Sequence, residues 1–145
     1  SKPKIMIGKN LFSIVCGLLV WILGLSFYLL SFYVTILEDP ELQSNVVLAL
    51  AIIPCACLGT YLFFRKSYMK PAALAITFVL VATILDIIIT VPVFVIPNGG
   101  TYSEFFGDPM FYILVVEFYF IVLYFGNYLI EISKAKKQLN DDILN

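Results

Sequence analysis

The chain has 145 residues, of which 61% are hydrophobic and only 13% are charged, and its mean hydropathy is +0.99. Soluble domains carry about 25% charged residues, so this composition excludes an ordinary soluble domain and indicates an integral membrane protein. The chain has no histidine, which excludes enzymes, metal sites and haem sites that depend on it. The three cysteines (Cys16, Cys55 and Cys57) all lie in apolar runs, so we expect small packing residues and no disulfide framework.

Four long apolar runs are separated by short polar stretches, at about 11–37, 46–64, 72–91 and 110–132. A helix needs about 20 residues to cross a hydrocarbon core of ~30 Å, and each run meets this length. In lipid the backbone must satisfy its hydrogen bonds internally, so each run predicts a transmembrane helix. Short loops favour antiparallel neighbours. We therefore expect a single transmembrane domain over 1–145, an all-α, antiparallel four-transmembrane-helix bundle with up-down-up-down topology.

The charges are sorted along the chain and predict its orientation. All nine basic residues fall on one side of the four helices, while the opposite loops carry acids and no basic residue. The basic residues are Lys2, Lys4, Lys9, Arg65, Lys66, Lys70, Lys134, Lys136 and Lys137. The positive-inside rule then predicts cytoplasmic termini, with a cytoplasmic tail at 133–145. The first run is longer than the 7–15 apolar residues of a signal peptide, and no A-x-A-like site follows it, so we expect it to be retained.

Small residues form stripes on the first two helices. Gly17 and Gly24 lie on one line of the first helix, and Ala51, Cys55 and Gly59 lie on one line of the second. Such stripes let helix backbones approach closely, so we expect them at helix contacts.

The third connection is unusual because it stays apolar after Pro92. A second proline and an Asn98-Gly99-Gly100 turn follow. Proline and glycine at these positions argue against a continuing helix, so the third helix is predicted to end near Pro92. The stretch 92–109 then becomes an outer-face segment folded over the bundle mouth or, equally, a plain interfacial loop.

Two carboxylates lie inside the apolar runs, Asp86 in the third and Glu117 in the fourth. A carboxylate near the bilayer centre costs about 2.5–3.5 kcal/mol on insertion scales, so such residues usually face protein or water. If the third helix ends near Pro92, Asp86 lies about 9 Å below that end and Glu117 about 10 Å below Met110. The two acids would then share one depth in the outer half. The match becomes poorer if the third helix continues toward Ile96.

Helical spacing suggests that both acids point inward. Thr90 falls on the small-residue face that carries Asp86, and Tyr124 and Tyr128 share the arc of Glu117. Asp86, Glu117, Tyr124 and Thr90 are therefore the candidate ligand-binding or proton-binding residues. Two carboxylates close together in a low dielectric do not both ionise easily, so the pair would share a proton or bind a cation or small polar ligand. The alternative is a structural clasp between helices. Trp21 is interpreted as a packing residue.

These residues leave three functions open. The first is binding or transport of a proton, cation or small polar ligand at an outer-half acidic pocket. The second is a non-catalytic membrane interaction or accessory subunit, and the third is a carboxylate-based membrane enzyme. Two acids without a third catalytic group make a weak constellation, so we expect no enzyme, no cofactor and no metal. The expected partners are the lipid bilayer and a second copy or another membrane protein. Nucleic acid is not expected, because the basic residues form no patch.

Several short motifs resemble a family of small bacterial membrane proteins, a domain of unknown function with four transmembrane helices. They span about 10–132 and comprise Gly17-Leu-Leu-Val-Trp-Ile-Leu, Leu85-Asp86, Pro92-Val-Phe94, Tyr102, Phe105-Phe106, Tyr112 and Gly126. The resemblance implies a multi-pass protein of the bacterial inner (plasma) membrane and singles out Asp86. It implies no activity.

Overall fold

A computed structural model describes residues 2–34 and 36–145 of the chain. Within this part 90% of the residues are helical and no strand is present. The α-helices of this part are α1 (Lys2–Leu30), α2 (Pro40–Lys66), α3 (Pro71–Leu85), α4 (Tyr102–Gly107) and α5 (Pro109–Leu144). Four helical spans, those of α1, α2, α3 with its extension and α5, are long and apolar enough to cross a membrane.

The third span runs further than the sequence predicts. α3 continues into a π-helix over Asp86–Val95 and a 3-10 turn over Ile96–Asn98. We expected an end near Pro92 because proline lacks the N–H that a continuing helix uses. In a π-helix the missing N–H would have bonded the carbonyl of Ile87, and the hydroxyl of Tyr102 donates to that carbonyl at 2.9 Å. The hydroxyl replaces the absent donor, and the helix passes through the proline.

Most of the predicted outer loop at 92–109 is therefore helical. Gly99 ends the third span in the left-handed conformation (φ 93°), which favours glycine. The side chain of Thr101 accepts a hydrogen bond from the N–H of Glu104 and caps α4. The side chain of Asp108 accepts from the N–H of Met110 and caps α5.

The first and last helices also have different ends from those predicted. α1 stops at Leu30 and is followed by a 3-10 turn over Ser31–Tyr33, although the apolar run continues to Leu37. α5 runs for 36 residues to Leu144. The stretch 133–145 was predicted as a cytoplasmic tail that could extend the fourth helix, and it is almost entirely a continuation of the last helix.

The connection from α1 to α2 is held by one buried side chain. Gln43 is 5% exposed, and its Oε1 accepts hydrogen bonds from the N–H groups of Ile36 and Leu37, both at 2.8 Å. Its Nε2 donates to the carbonyls of Ser31, at 2.8 Å, and Val34. These four hydrogen bonds hold the chain away from the helical path, which explains why α1 ends before the apolar run does.

Pairs of contacts give the relative directions of α1, α2 and α3. Near the start of α1, Phe12 stacks on Phe63 of α2 with ring centroids 5.7 Å apart. At the other end, Ser31 donates to Ser44 at 2.9 Å, so α1 and α2 are antiparallel. Against α3, an added Cβ at Gly17 would lie 3.2 Å from a ring atom of Phe78, and Trp21 reaches Asp86 further along both helices. α1 and α3 therefore run in the same direction.

α5 closes the bundle from the opposite side. Phe118 stacks on Phe78 with centroids 6.1 Å apart, and an added Cβ at Gly126 would lie 3.1 Å from Pro71, so α5 is antiparallel to α3. α1 and α5 each pack against both α2 and α3, whereas α2 and α3 lie at opposite corners. The expectation that α2 and α3 pack as neighbours because a short loop joins them is therefore wrong. The loop connects their ends across the bundle.

The core combines large apolar side chains with close backbone approaches. Phe63, Phe78, Leu74 and Val122 are fully buried. An added Cβ at Gly59 would overlap Val20 of α1, so α1 and α2 approach closely at the predicted small-residue line of α2.

Candidate functional site

Asp86 lies where α3 becomes the π-helix, and two neutral donors hold it. Trp21 of α1 donates from Nε1 to Oδ1 of Asp86 at 3.0 Å. Thr90, one turn further along the third span, donates from Oγ1 to the same oxygen at 2.8 Å. Thr90 is 6% exposed, and Asp86 and Trp21 are half-buried. The carboxyl group therefore joins α1 to α3 through one of its two oxygens.

The second oxygen of Asp86 is in a different position. Oδ2 makes no hydrogen bond to any residue that the structure describes, and it is not among the fully buried polar atoms without a partner. A carboxylate has room for about four hydrogen bonds on its two oxygens. Oδ2 is thus open to a proton, a cation or a polar group, while Oδ1 fixes the side chain.

The backbone around Asp86 also departs from regular α-helix. The N–H of Asp86 bonds the carbonyls of both Ala82 and Thr83, and the π-helix begins at this residue. π-helical segments are rare and occur frequently at functional sites. The wider turn continues to Val95 and still keeps Thr90, four residues further on, in contact with Asp86.

The longer third span changes the depth of Asp86. The span covers Pro71–Asn98, 28 residues, so it continues for 12 residues beyond Asp86 and not for the six that an end at Pro92 would give. Because Phe78 stacks on Phe118 in antiparallel helices, the eight residues from Phe78 to Asp86 bring Asp86 level with Met110. Glu117 lies seven residues further along α5, about 10 Å away along the helix axis. The predicted common depth of the two acids is wrong.

Glu117 also faces a different direction from the one predicted. α5 buries Phe118, Val122 and Gly126 against the bundle, and the arc that carries Glu117 lies on the opposite side. Tyr124, on that arc, is 66% exposed. Oε1 of Glu117 is nevertheless buried, and it has no hydrogen-bond partner in the part of the chain that the structure describes.

The four candidate residues thus separate into two places. Asp86 and Thr90 come together inside the bundle, whereas Glu117 and Tyr124 lie on the outer face of α5. Trp21, interpreted as packing, is the side chain that sequence reasoning missed. Two signals pointed to it: it shares the small-residue face of α1, and an indole N–H within a membrane span needs an acceptor.

Two surface grooves lie elsewhere. One, between α3 and α5, is wholly apolar and includes Val79, Leu80 and Tyr119. The other lies at the basic end of the bundle and is lined by Lys9, Lys66 and neighbours. Neither includes Asp86. Over residues 2–34 and 36–145 no group of three or more metal-ligating side chains occurs.

No protein-family model, curated protein sequence or solved structure matches this chain. The resemblance to the bacterial four-helix family therefore stays a prediction.

Proposed function

We propose that this chain is a multi-pass integral membrane protein, without enzymatic activity, that binds a proton, cation or small polar ligand at Asp86. The observation that carries the proposal is the difference in hydrogen bonding between the two carboxyl oxygens. Oδ1 takes hydrogen bonds from Trp21 and Thr90, and Oδ2 takes none from the described residues. An acid inside a membrane span is costly in lipid and is by default a functional group. Here its geometry is fixed while one binding position stays open.

The proposed site is narrower than a pair of acids. It consists of Asp86, Thr90 and Trp21, and it does not need Glu117 or Tyr124. Both donors are neutral, so they do not neutralise the negative charge of the carboxylate. A positively charged ligand or a proton on Oδ2 would neutralise this charge.

We place both termini in the cytoplasm of a bacterial inner membrane. The ring of Tyr68, between α2 and α3, lies 5.7 Å from Nζ of Lys9 on α1, so two of the three basic stretches lie at one end of the bundle. α5 passes Pro71 at Gly126 and continues in that direction toward its own lysines. Basic residues gathered at one end support the positive-inside orientation. The choice of a bacterial membrane follows from the family resemblance.

The only tryptophan of the chain offers a direct test, because its Nε1 is bonded to Asp86. Protein in phosphatidylcholine vesicles is titrated with protons, and separately with sodium or choline, while the fluorescence of Trp21 is recorded. We expect one of these titrations to change the emission saturably. Asp86→Asn, which keeps an oxygen acceptor for Trp21 but removes the charge, should abolish that change.

Glu117→Gln is the matched control, since it neutralises the other intramembrane acid and should leave the titration as in the unmodified chain. If Asp86→Asn and the unmodified chain respond alike, or if no titration changes the emission, ligand binding at Asp86 is refuted.

A second function, an accessory subunit that docks another membrane-embedded helix, is favoured by one observation. The exposed arc of α5 carries polar side chains within the apolar span, where acyl chains offer no hydrogen bonds. Loss of a partner's assembly on substitution of this arc, with Asp86→Asn harmless, would favour it over ligand binding.

A further inference from the structure

The outward face of α5 is polar where lipid would be expected to cover it. Tyr124 is 66% exposed and Tyr128 59% exposed, and Asn127 is exposed between them. Glu117, further up the same face, has a buried Oε1 without a partner among the described residues. Polar side chains in a bilayer normally face protein or water. In the part of the chain that the structure describes, this face points away from the other helices.

The side chains of this face follow a regular spacing. Steps of four and three residues alternate along α5 and define what we term the α5 seam. It comprises Ile113, Glu117, Phe120, Tyr124, Asn127, Glu131, Lys134, Gln138 and Asp141. All are exposed except Glu117, which is half-buried. A repeat of 3.5 residues is the spacing of a helix that packs along its length against another helix.

We propose that two copies of this chain associate side by side through the α5 seam. Both copies insert with one topology, so their α5 helices are parallel and equal residues meet at equal levels. Asn127 carries a donor and an acceptor, so the two copies of this residue satisfy each other. The two Glu117 carboxyl groups meet likewise and share a proton.

Charges beyond the apolar part of α5 fit the same register. In a parallel pair, the residue just before a seam position that ends a four-residue step faces the residue five positions further on in the other helix. Lys137 and Asp142 occupy these two positions, and both are exposed. Within one helix, residues five apart point about 140° away from each other at 100° per residue, so they do not pair there. Lys137 of each copy would therefore face Asp142 of the second copy.

Self-association does not rest on the function proposed for Asp86, which lies on the third span and not on the seam. The first test mixes full-length chains that carry donor or acceptor dyes at the C-terminus in phosphatidylcholine vesicles. Energy transfer is followed as the protein-to-lipid ratio is lowered. Asn127→Leu should weaken dimerisation by about 5- to 30-fold, the range of interhelical hydrogen bonds in model membrane peptides.

Thr77→Val is the matched control, because Thr77 is a half-buried polar residue on α3, away from the α5 seam, and its hydroxyl bonds its own helix. It should leave energy transfer unchanged. The proposal is overturned if the unmodified chain transfers energy no better than randomly mixed monomers, or if Asn127→Leu and Thr77→Val behave alike.

A charge exchange tests the register with residues that lie outside the core. Lys137→Glu alone and Asp142→Lys alone should each weaken dimerisation about threefold, the scale of exposed ion pairs. The double variant should regain the affinity of the unmodified chain. If it is no tighter than the single variants, the parallel α5 pairing is wrong. Because these positions are exposed on the end of α5, failure to fold is not an alternative explanation.

Discussion

Replacing Gln43 by leucine removes the side chain that holds the α1–α2 connection in place. All four hydrogen-bonding positions of its amide are used: two by backbone N–H groups and two by carbonyls, all in the connection that follows α1. The residue is 5% exposed. Leucine has a similar volume and no polar atoms, so Gln43→Leu deletes the four hydrogen bonds while leaving little empty space.

The expected cost follows from these four hydrogen bonds. Each contributes about 0.5–1.5 kcal/mol net, so their loss sums to about 2–6 kcal/mol. The connection lies at the surface, where the freed backbone groups of Ile36 and Leu37 can bond water, so we expect the lower end, about 2–3 kcal/mol. Gln43→Glu should cost at least as much. Its oxygens still accept from the two N–H groups, but one of them then faces the carbonyls of Ser31 and Val34.

The free energy of unfolding is measured in mixed micelles with increasing sodium dodecyl sulfate, with circular dichroism as the signal. Asn140→Leu is the matched control, since Asn140 is exposed on α5 and lies outside the α5 seam. It should stay within the ±0.5 kcal/mol or so typical of surface substitutions. If Gln43→Leu falls in that same range, the amide does not determine the end of α1 and the reasoning is refuted.

Two further predictions use the same unfolding assay. Gly59→Ala should destabilise the chain by about 1–3 kcal/mol because its Cβ overlaps α1. Gly24→Ala, whose Cβ would meet its nearest neighbour at an ordinary 3.6 Å, should be neutral or stabilising. Equal effects of the two substitutions would contradict the close approach of α1 and α2. Tyr102→Phe should cost about 1 kcal/mol in the unmodified chain. It should cost almost nothing in a Pro92→Ala background, where a backbone N–H is again available; an equal cost in both backgrounds would show that Tyr102 does not serve the helix interrupted by the proline.

The four spans could be predicted from hydropathy because the polar backbone of an apolar segment satisfies its own hydrogen bonds in lipid by forming a helix. Their ends could not. The third helix passes through Pro92 because Tyr102, ten residues further on, supplies the missing donor. The first helix stops inside an apolar run because Gln43 takes over the backbone groups that follow. Both events depend on a single distant side chain, which no window of local composition contains.

The length of the loops also could not predict which helices pack against each other. The short connection between α2 and α3 brings their ends together, but packing along their faces is decided by shape. Gly59 of α2 fits against Val20 of α1, and Phe78 of α3 lies against Gly17 of α1 and stacks on Phe118. α2 and α3 therefore each pack mainly along α1 and α5. A line of small residues in the sequence does not indicate which helix it will contact.

The site was predictable in part. Asp86 and Thr90 share a face at helical spacing, and the structure brings them within hydrogen-bonding distance. The inward direction predicted for Glu117 failed because both faces of a membrane helix are apolar. A polar residue in such a helix therefore does not indicate whether its face contacts the bundle or another molecule. Trp21 was missed because its ring is a good packing residue and its single N–H leaves no pattern in sequence.

The two acids therefore have separate roles, and the separation can be tested directly. Asp86 is held inside the bundle by two donors, whereas Glu117 has an unpartnered oxygen on the outer face. Substitutions more than about 7–10 Å apart with no shared partner act independently. Asp86→Asn should then abolish the ligand response of Trp21 and leave self-association intact. Glu117→Leu should weaken self-association and leave the Trp21 response intact. If either substitution changes both properties, the acids act as one site and the separation is wrong.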